Sequence, residues 1–300
     1  MTGKVAAKFD YAKRSVRSQD GTTIGFRQLG AGPAIVLLHG GALASQHYMK
    51  LGGALADAFT VCIPDRRGRG MSGPYGPDYS IEREDEDLAA VVAETGARCV
   101  FGTADGGLFA LHGSVAVPQI RKVAVFEPVI FVGQPGLAEF KETIARGEAL
   151  VFSGDIAGAM SSLAADAGND PRTQAVSPPY RLLGRVFASP IVCRAVLALD
   201  ALAARGDTVA LRDLVPALIP ELRQVRATEG TIDYYRNVSA ECLLMCGAGA
   251  PPLFTGTQDA LMQVLPHATQ VVLPGCNHGA AQDQGGDPSV IADQLRRFFS

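Results

Sequence analysis

Three residues far apart in the chain have the types and the order of a proton relay. His278 stands in Gly275-Cys-Asn-His-Gly279, just after an apolar run. An imidazole placed there can act as general base, taking a proton from a nucleophile and returning it to the leaving group. Glu127 stands in Phe126-Glu-Pro128, again directly after an apolar run, where a carboxylate can hold that imidazole in one tautomer and stabilise its charged form. The third position is Ala104, in Val100-Phe-Gly-Thr-Ala-Asp-Gly-Gly107. Here an apolar run meets a turn of small residues and then a helical segment, the context in which a strained turn presents a nucleophile at its apex. Gly102 and Gly106 fill the two flanking positions that must be small, while the apex carries a methyl group with no atom able to attack a carbonyl. The backbone amides of Gly41, in His39-Gly-Gly41, and of Asp105, just past the apex, would form a two-donor oxyanion hole. Losing one such donor typically removes about 3 kcal/mol of transition-state stabilisation. The hole needs backbone only, so an alanine at 104 leaves it intact.

Competing readings attach to several of these residues. Glu127 also fits a buried carboxylate paired with Arg66 or Arg67. Asp105 becomes a displaced aspartate nucleophile if the turn is read one residue later, at the expense of the Gly102/Gly106 frame. Gly68-Arg-Gly-Met-Ser-Gly73 matches a dinucleotide fingerprint, but Gly73-Pro-Tyr-Gly-Pro77 follows where a helix should begin, so a pyrophosphate has no helix N-terminus to rest on. Its glycines are read instead as a turn, with Asp65 and the arginines in ion pairs. His112 and His267 read as structural, and the five histidines show no metal-ligand spacing; neither metal nor cofactor is expected.

The elements that must hold these groups can be read from periodicity. Ala34–Leu38, Thr60–Ile63, Cys99–Gly102, Val123–Phe126, Cys242–Cys246 and Gln270–Leu273 are short runs, apolar throughout, as strands buried on both faces require. Helical spacing fills Tyr48–Phe59, Ile81–Thr95, Gly106–Val115, Thr255–Leu265 and Pro288–Phe299, with acids after Ser80 at one helix start. The alternation predicts an α/β fold with a mostly parallel, doubly wound sheet. Arg14–Arg17 and Thr22–Gln28 around Asp20-Gly21 add an antiparallel hairpin at its edge. The alternation lapses after Pro128 and resumes near Glu241, so the expected division is a core over 1–130, a helical cap over 131–240 and the rest of the core over 241–300. A cap above the strands' carboxyl ends would cover the region where open α/β sheets bind ligands.

A chain of 300 residues suits one such domain, and a net charge of -3 without like-charge runs gives no electrostatic footprint for nucleic acid or an anionic membrane. The first residues lack the apolar core of a secretory signal, and the six cysteines read as buried free thiols. The expectation is a cytoplasmic protein, a monomer or small homo-oligomer, acting on a small molecule.

His39-Gly-Gly41, Asp65 to Gly73, Gly102 to Gly107, Phe126-Glu-Pro128 and Asn277-His-Gly279 together resemble the α/β-hydrolase superfamily, in its bacterial esterase and lactonase type. The likeness spans about Ser15 to Pro128 and Glu241 to Phe299. It implies an α/β-hydrolase fold and hydrolysis of carboxylic esters or lactones. Relatives commonly carry G-x-S-x-G-G at the apex, so Gly-Thr-Ala-Asp-Gly-Gly differs at one decisive position. Many also carry their acid after the run ending at Cys246, where Gly247 to Thr257 has no carboxylate; a subset uses a Glu in a Y/F-E-P segment, which points to Glu127. Ala104 is then either an introduced replacement of serine, favoured by the survival of its partners and leaving the chain inactive, or native to a protein that binds a ligand without turnover.

In length and motifs the chain also resembles bacterial macrolide esterases, which would make the reaction a ring opening that inactivates an antibiotic. Phe131, Phe152, Tyr180, Leu182, Leu183, Phe187, Ile191, Tyr234 and Tyr235 make the insertion apolar and aromatic, suited to a bulky hydrophobic substrate. His39, Gly40, His47, Phe131 and Tyr234 are the residues expected to contact it, with surface or packing duty as the alternative for His47.

Overall fold

A computed structural model describes residues 9–169 and 189–300. Eight strands form one sheet: β1 (Ala12–Arg17), β2 (Thr23–Leu29), β3 (Ala34–Leu38), β4 (Thr60–Pro64), β5 (Cys99–Thr103), β6 (Lys122–Phe126), β7 (Glu241–Gly247) and β8 (Ala268–Leu273). Their spatial order is β1-β2-β4-β3-β5-β6-β7-β8. β1 and β2 are the antiparallel hairpin, β2 pairs antiparallel with β4, and the remaining neighbours are parallel. This is the α/β-hydrolase fold expected from the sequence.

The apolar runs of β3 to β7 are continuous because both sheet faces are covered there, whereas β8, at the sheet edge, leaves Thr269, Gln270 and Val272 exposed, contrary to the expectation of a strand buried on both faces. Val36, Leu38, Cys62, Val100, Val123, Val125, Cys242 and Leu244 point into one core, with residues of α2 (Ile81–Thr95), α3 (Ala104–Ala116) and α8 (Pro252–Val264). The alternate positions Ile35, Leu37, Val61, Ile63, Phe101, Ala124, Phe126, Leu243 and Met245 point into a second core, with α1 (Met49–Leu55) and α9 (Pro288–Phe299). Every one of these strand residues is buried. Each large side chain so buried contributes about 1.5–3 kcal/mol, so the central strands are the rigid base of the molecule.

Between β6 and β7 the described helices are α4 (Leu137–Phe152), α5 (Ile156–Asn169), α6 (Pro190–Ala203) and α7 (Leu211–Ala227), followed by a 3-10 turn at Ile232–Asn237. Tyr180, Leu182, Leu183 and Phe187 lie outside the described residues. The first helix after β3 is shorter than its periodicity suggested. A 3-10 turn (Ser45–Tyr48) precedes α1, and the chain leaves the helix at Leu55 so that Gly30 can lie against the Ala56 and Phe59 carbonyls. Cys62, Cys242, Cys246 and Cys276 are buried free thiols and Cys99 is only partly buried, and no described helix is long and apolar enough to cross a membrane.

Candidate active site

Among the described residues only three other than glycine have positive φ: Ala42 (55°), Ala104 (51°) and Glu127 (47°). They follow the carboxyl ends of β3, β5 and β6, strands that are neighbours in the sheet. Such backbone costs of order 1–3 kcal/mol each and persists where the surroundings enforce it, most often at functional sites. At Ala104 the enforcement is visible. A Cβ on Gly102 would overlap the Gly106 carbonyl oxygen, and one on Gly106 would overlap the His39 carbonyl oxygen. The turn closes only with glycine at both positions.

β5, β6, β7 and β8 lie side by side, and the groups that follow them converge. Val129 N–H donates to the Ala104 carbonyl (3.1 Å), tying the segment after Glu127 to the apex. Glu127 is buried, and its Oε1 accepts from the Gly247 amide at the end of β7 (3.0 Å). Its Oε2 lies 2.7 Å from His278 Nδ1. The imidazole, half exposed, stacks on Phe254 with ring centroids 4.6 Å apart. With Nδ1 committed to the carboxylate, Nε2 is the nitrogen left for chemistry. The structure therefore pairs Glu127 with His278 and not with an arginine. Arg66 and Arg67 have other acids: Arg67 pairs with Asp87 (2.6 Å) and Asp20 (2.9 Å).

Arg66 is at the centre of a buried charge cluster that sequence reasoning missed. It pairs with Glu84 (3.1 Å), Asp105 (3.0 Å) and Glu221 (2.9 Å), and Glu221 also pairs with Arg69. Glu221 belongs to α7, so the cluster bolts the inserted helices onto the loop after β4 and onto the apex turn. Burial pushes the Glu221 carboxyl up to about 8, against the downward pull of Arg66 and Arg69. Leu218, one turn earlier on α7, lies over Gly41, where a Cβ would overlap its Cδ1. Leu218 also lines a narrow apolar gap with Ile144, Val151, Val215 and Leu222.

The two oxyanion-hole candidates are adjacent, but not in the expected manner. Gly41 N–H donates to the Asp105 carboxylate, whose other oxygen accepts from Arg66. His39 is fully buried; its Nε2 accepts from Arg66 N–H (3.2 Å) and its Nδ1 is left to donate to the Gly40 carbonyl (2.9 Å). Burial and the nearby Arg69 and Arg66 hold its pKa well below the ordinary value, so it is a neutral brace for the glycine loop. Gly40 itself borders the apex, since a Cβ on it would lie 3.3 Å from that of Ala104. His47 bonds within its own turn, accepting from Ala44 N–H (3.1 Å).

Two expected substrate contacts, Phe131 and Tyr234, are engaged with other side chains. Phe131 is fully buried and lies edge-on against Phe140. Tyr234 stacks on His112 (4.4 Å), eight residues along α3 from the apex and so roughly 12 Å away at 1.5 Å per residue. Both aromatics were read from composition, and core contacts claimed them. Of the other aromatic or apolar residues expected to face substrate, Phe152 and Ile191 are exposed and Tyr235 is fully buried. The loop Asp65 to Gly73 is a structural turn: Asp65 accepts from Ser45 N–H (2.8 Å) and Met71 N–H (3.0 Å), and the next helix starts only at Ile81. Among the described residues no three His, Cys, Asp or Glu side chains are grouped as a metal site would require.

Comparison with known proteins agrees with this architecture. Residues 35–294 match the family described as "Alpha/beta hydrolase family". A pimeloyl-[acyl-carrier protein] methyl ester esterase of Xanthomonas campestris is 36% identical over 97 residues, which cover 32% of this chain and 37% of that protein. The chain thus matches little more than a third of the length of the curated relatives. An alpha/beta hydrolase from Sphaerobacter thermophilus superposes with a TM-score of 0.70 and 28% identity, covering 96% of this chain and all of the other. A hydrolase from Pseudomonas aeruginosa, 21% identical with a TM-score of 0.68 and coverage of 96% and 98%, shares the fold.

Proposed function

Since the chain belongs to the alpha/beta hydrolase family, we propose that its site is built for serine-type hydrolysis of a carboxylic ester or lactone, with residue 104 at the nucleophile position. The observation that carries this reading is the Glu127–His278 pair, with Glu127 following the strand next to the apex strand and its Oε1 fixed by Gly247. With serine at 104, His278 Nε2 would take the hydroxyl proton as Oγ attacks the carbonyl carbon. The oxyanion would rest on the Gly41 and Asp105 amides, and the protonated imidazole would return its proton to the leaving alkoxide. Water, deprotonated by the same imidazole, would then cleave the acyl-enzyme. Alanine supplies no attacking atom, so the chain as it stands forms no acyl-enzyme. The sequence likeness to macrolide esterases makes a macrolide lactone one candidate substrate, although the apolar gap beside Leu218 is too narrow to hold such a ring as it stands.

A second reading, a native ligand-binding protein on a hydrolase scaffold, is favoured by one observation: the Gly41 amide is already engaged by Asp105. Ala104→Ser, assayed on chromogenic short-chain esters and a lactone panel including macrolides, separates the two. A gain of about 10³-fold or more over the Ala104 chain supports the hydrolase reading, because removing such a serine costs on the order of 10⁶ in kcat. A folded Ala104→Ser protein inert on the whole panel supports the binder.

A further inference from the structure

We infer that Asp105 is a resident occupant of the oxyanion site, so that the chain is silenced twice, once by the missing hydroxyl and once by a carboxylate on the amide that should receive the reaction's negative charge. The inference rests on the assignment of Gly41 as an oxyanion donor. The side chain of Asp105 is buried, with one oxygen on the Gly41 amide and the other 3.0 Å from Arg66. Arg66 cannot follow a moving partner, because Glu84 holds it at 3.1 Å and 3.2 Å and Glu221 at 2.9 Å. Leu218 also lies close against Gly41. An oxyanion forming at this amide would meet a fixed like charge on a buried side chain, where charges act more strongly than in water. Catalysis therefore requires Asp105 to swing off Gly41, and the donor is lost to the reaction whenever it does not. Loss of one such donor lowers kcat by about 10²–10³-fold. The Gly41 amide and Arg66 together form a small carboxylate-binding pocket whose present ligand is the protein's own.

The amide proton of Gly41 reports this contact without any turnover. In the Ala104 chain it should resonate far downfield in ¹⁵N–¹H spectra, move upfield in Asp105→Ala, and return downfield when acetate is added to that variant. Asp105→Asn, which keeps the shape but not the charge, should fall between the two. A Gly41 signal that is unmoved by Asp105→Ala in a folded protein overturns the inference. Kinetics give the consequence: Ala104→Ser/Asp105→Ala should exceed Ala104→Ser in kcat by about 10-fold or more, a conservative share of one donor's effect. A single variant as fast as the double overturns the inference while leaving the ester-hydrolase reading in place. Two folded but inert variants defeat the hydrolase reading, and the Gly41 signal still decides the role of Asp105.

Discussion

Gly106→Ala sets two effects of known sign against each other at the apex turn. Gly106 lies within α3, where replacing glycine by alanine should stabilise by about 1 kcal/mol through helix propensity alone. Yet the new Cβ would land on the carbonyl oxygens of His39 and Leu38, which are backbone atoms at the end of a central strand and cannot turn aside. Overpacking of this kind costs about 1–3 kcal/mol, and against backbone that cannot yield the upper part of that range, about 2–3 kcal/mol, applies, so a net loss of about 1–2 kcal/mol is expected. At roughly 2–4 °C per kcal/mol for a chain of this size, Tm should fall by about 2–8 °C. Gly113→Ala is the internal control on the same helix. Its Cβ would meet Leu88 Cδ2 at 2.7 Å and Asp85 Oδ1 at 3.3 Å, both side-chain atoms that can move. It should be close to neutral. Differential scanning fluorimetry and urea unfolding of both variants measure the difference. A Gly106→Ala protein as stable as its parent would refute the account of how this turn is enforced.

Glu127→Ala in the Ala104→Ser background should lower kcat by about 10²–10⁴-fold with KM little changed, because the carboxylate orients and charges the base without touching substrate; steady-state kinetics on an activated ester check it. Glu221 should give stability an unusual pH dependence. Its folded carboxyl titrates at about 8 against an ordinary 4.5, so between those values the folded chain holds a proton the unfolded chain has released. Its contribution is therefore greatest below about 4.5 and falls as pH rises towards 8. Glu221→Gln should flatten the slope of Tm against pH over that window, and an unchanged slope would show that Glu221 is ionised in the folded protein.

β3 to β7 were legible because continuous apolar runs have one explanation in a sheet covered on both faces; Gln270–Leu273 was found as a strand, but as the edge strand β8 it leaves Gln270 and Val272 exposed. Ile81–Thr95 and Pro288–Phe299 were legible because helical spacing is sustained over both, with acids in the first turn of one and proline at the first position of the other. The groups of the apex turn stood out for a similar reason: Gly102, Ala104 and Gly106 form one contiguous turn, and Glu127 and His278 each follow a strand directly. What escaped was everything decided by contact between distant segments. Nothing local in Leu218 or Glu221 marks them as covering Gly41 and pairing with Arg66, because α7 reaches them only after the insertion docks. Asp105 was read for its backbone amide, while its side chain makes the contact that matters. Phe254 looked like any apolar residue at a helix start, and its stacking on His278 arises from the meeting of α8 with the loop after β8. Tyr234 shows the converse, since aromatic content alone does not reveal that the ring stacks on His112.

The account turns on the relation between residue 104 and His278, and a covalent serine probe tests it most directly. Ala104→Ser treated with a fluorophosphonate, followed by intact mass and peptide mapping, should gain a single adduct on the new serine, and His278→Ala in the same background should abolish it. A folded Ala104→Ser protein that takes up no adduct, or one labelled equally well without His278, would contradict the claim that this apex is where a nucleophile meets its base.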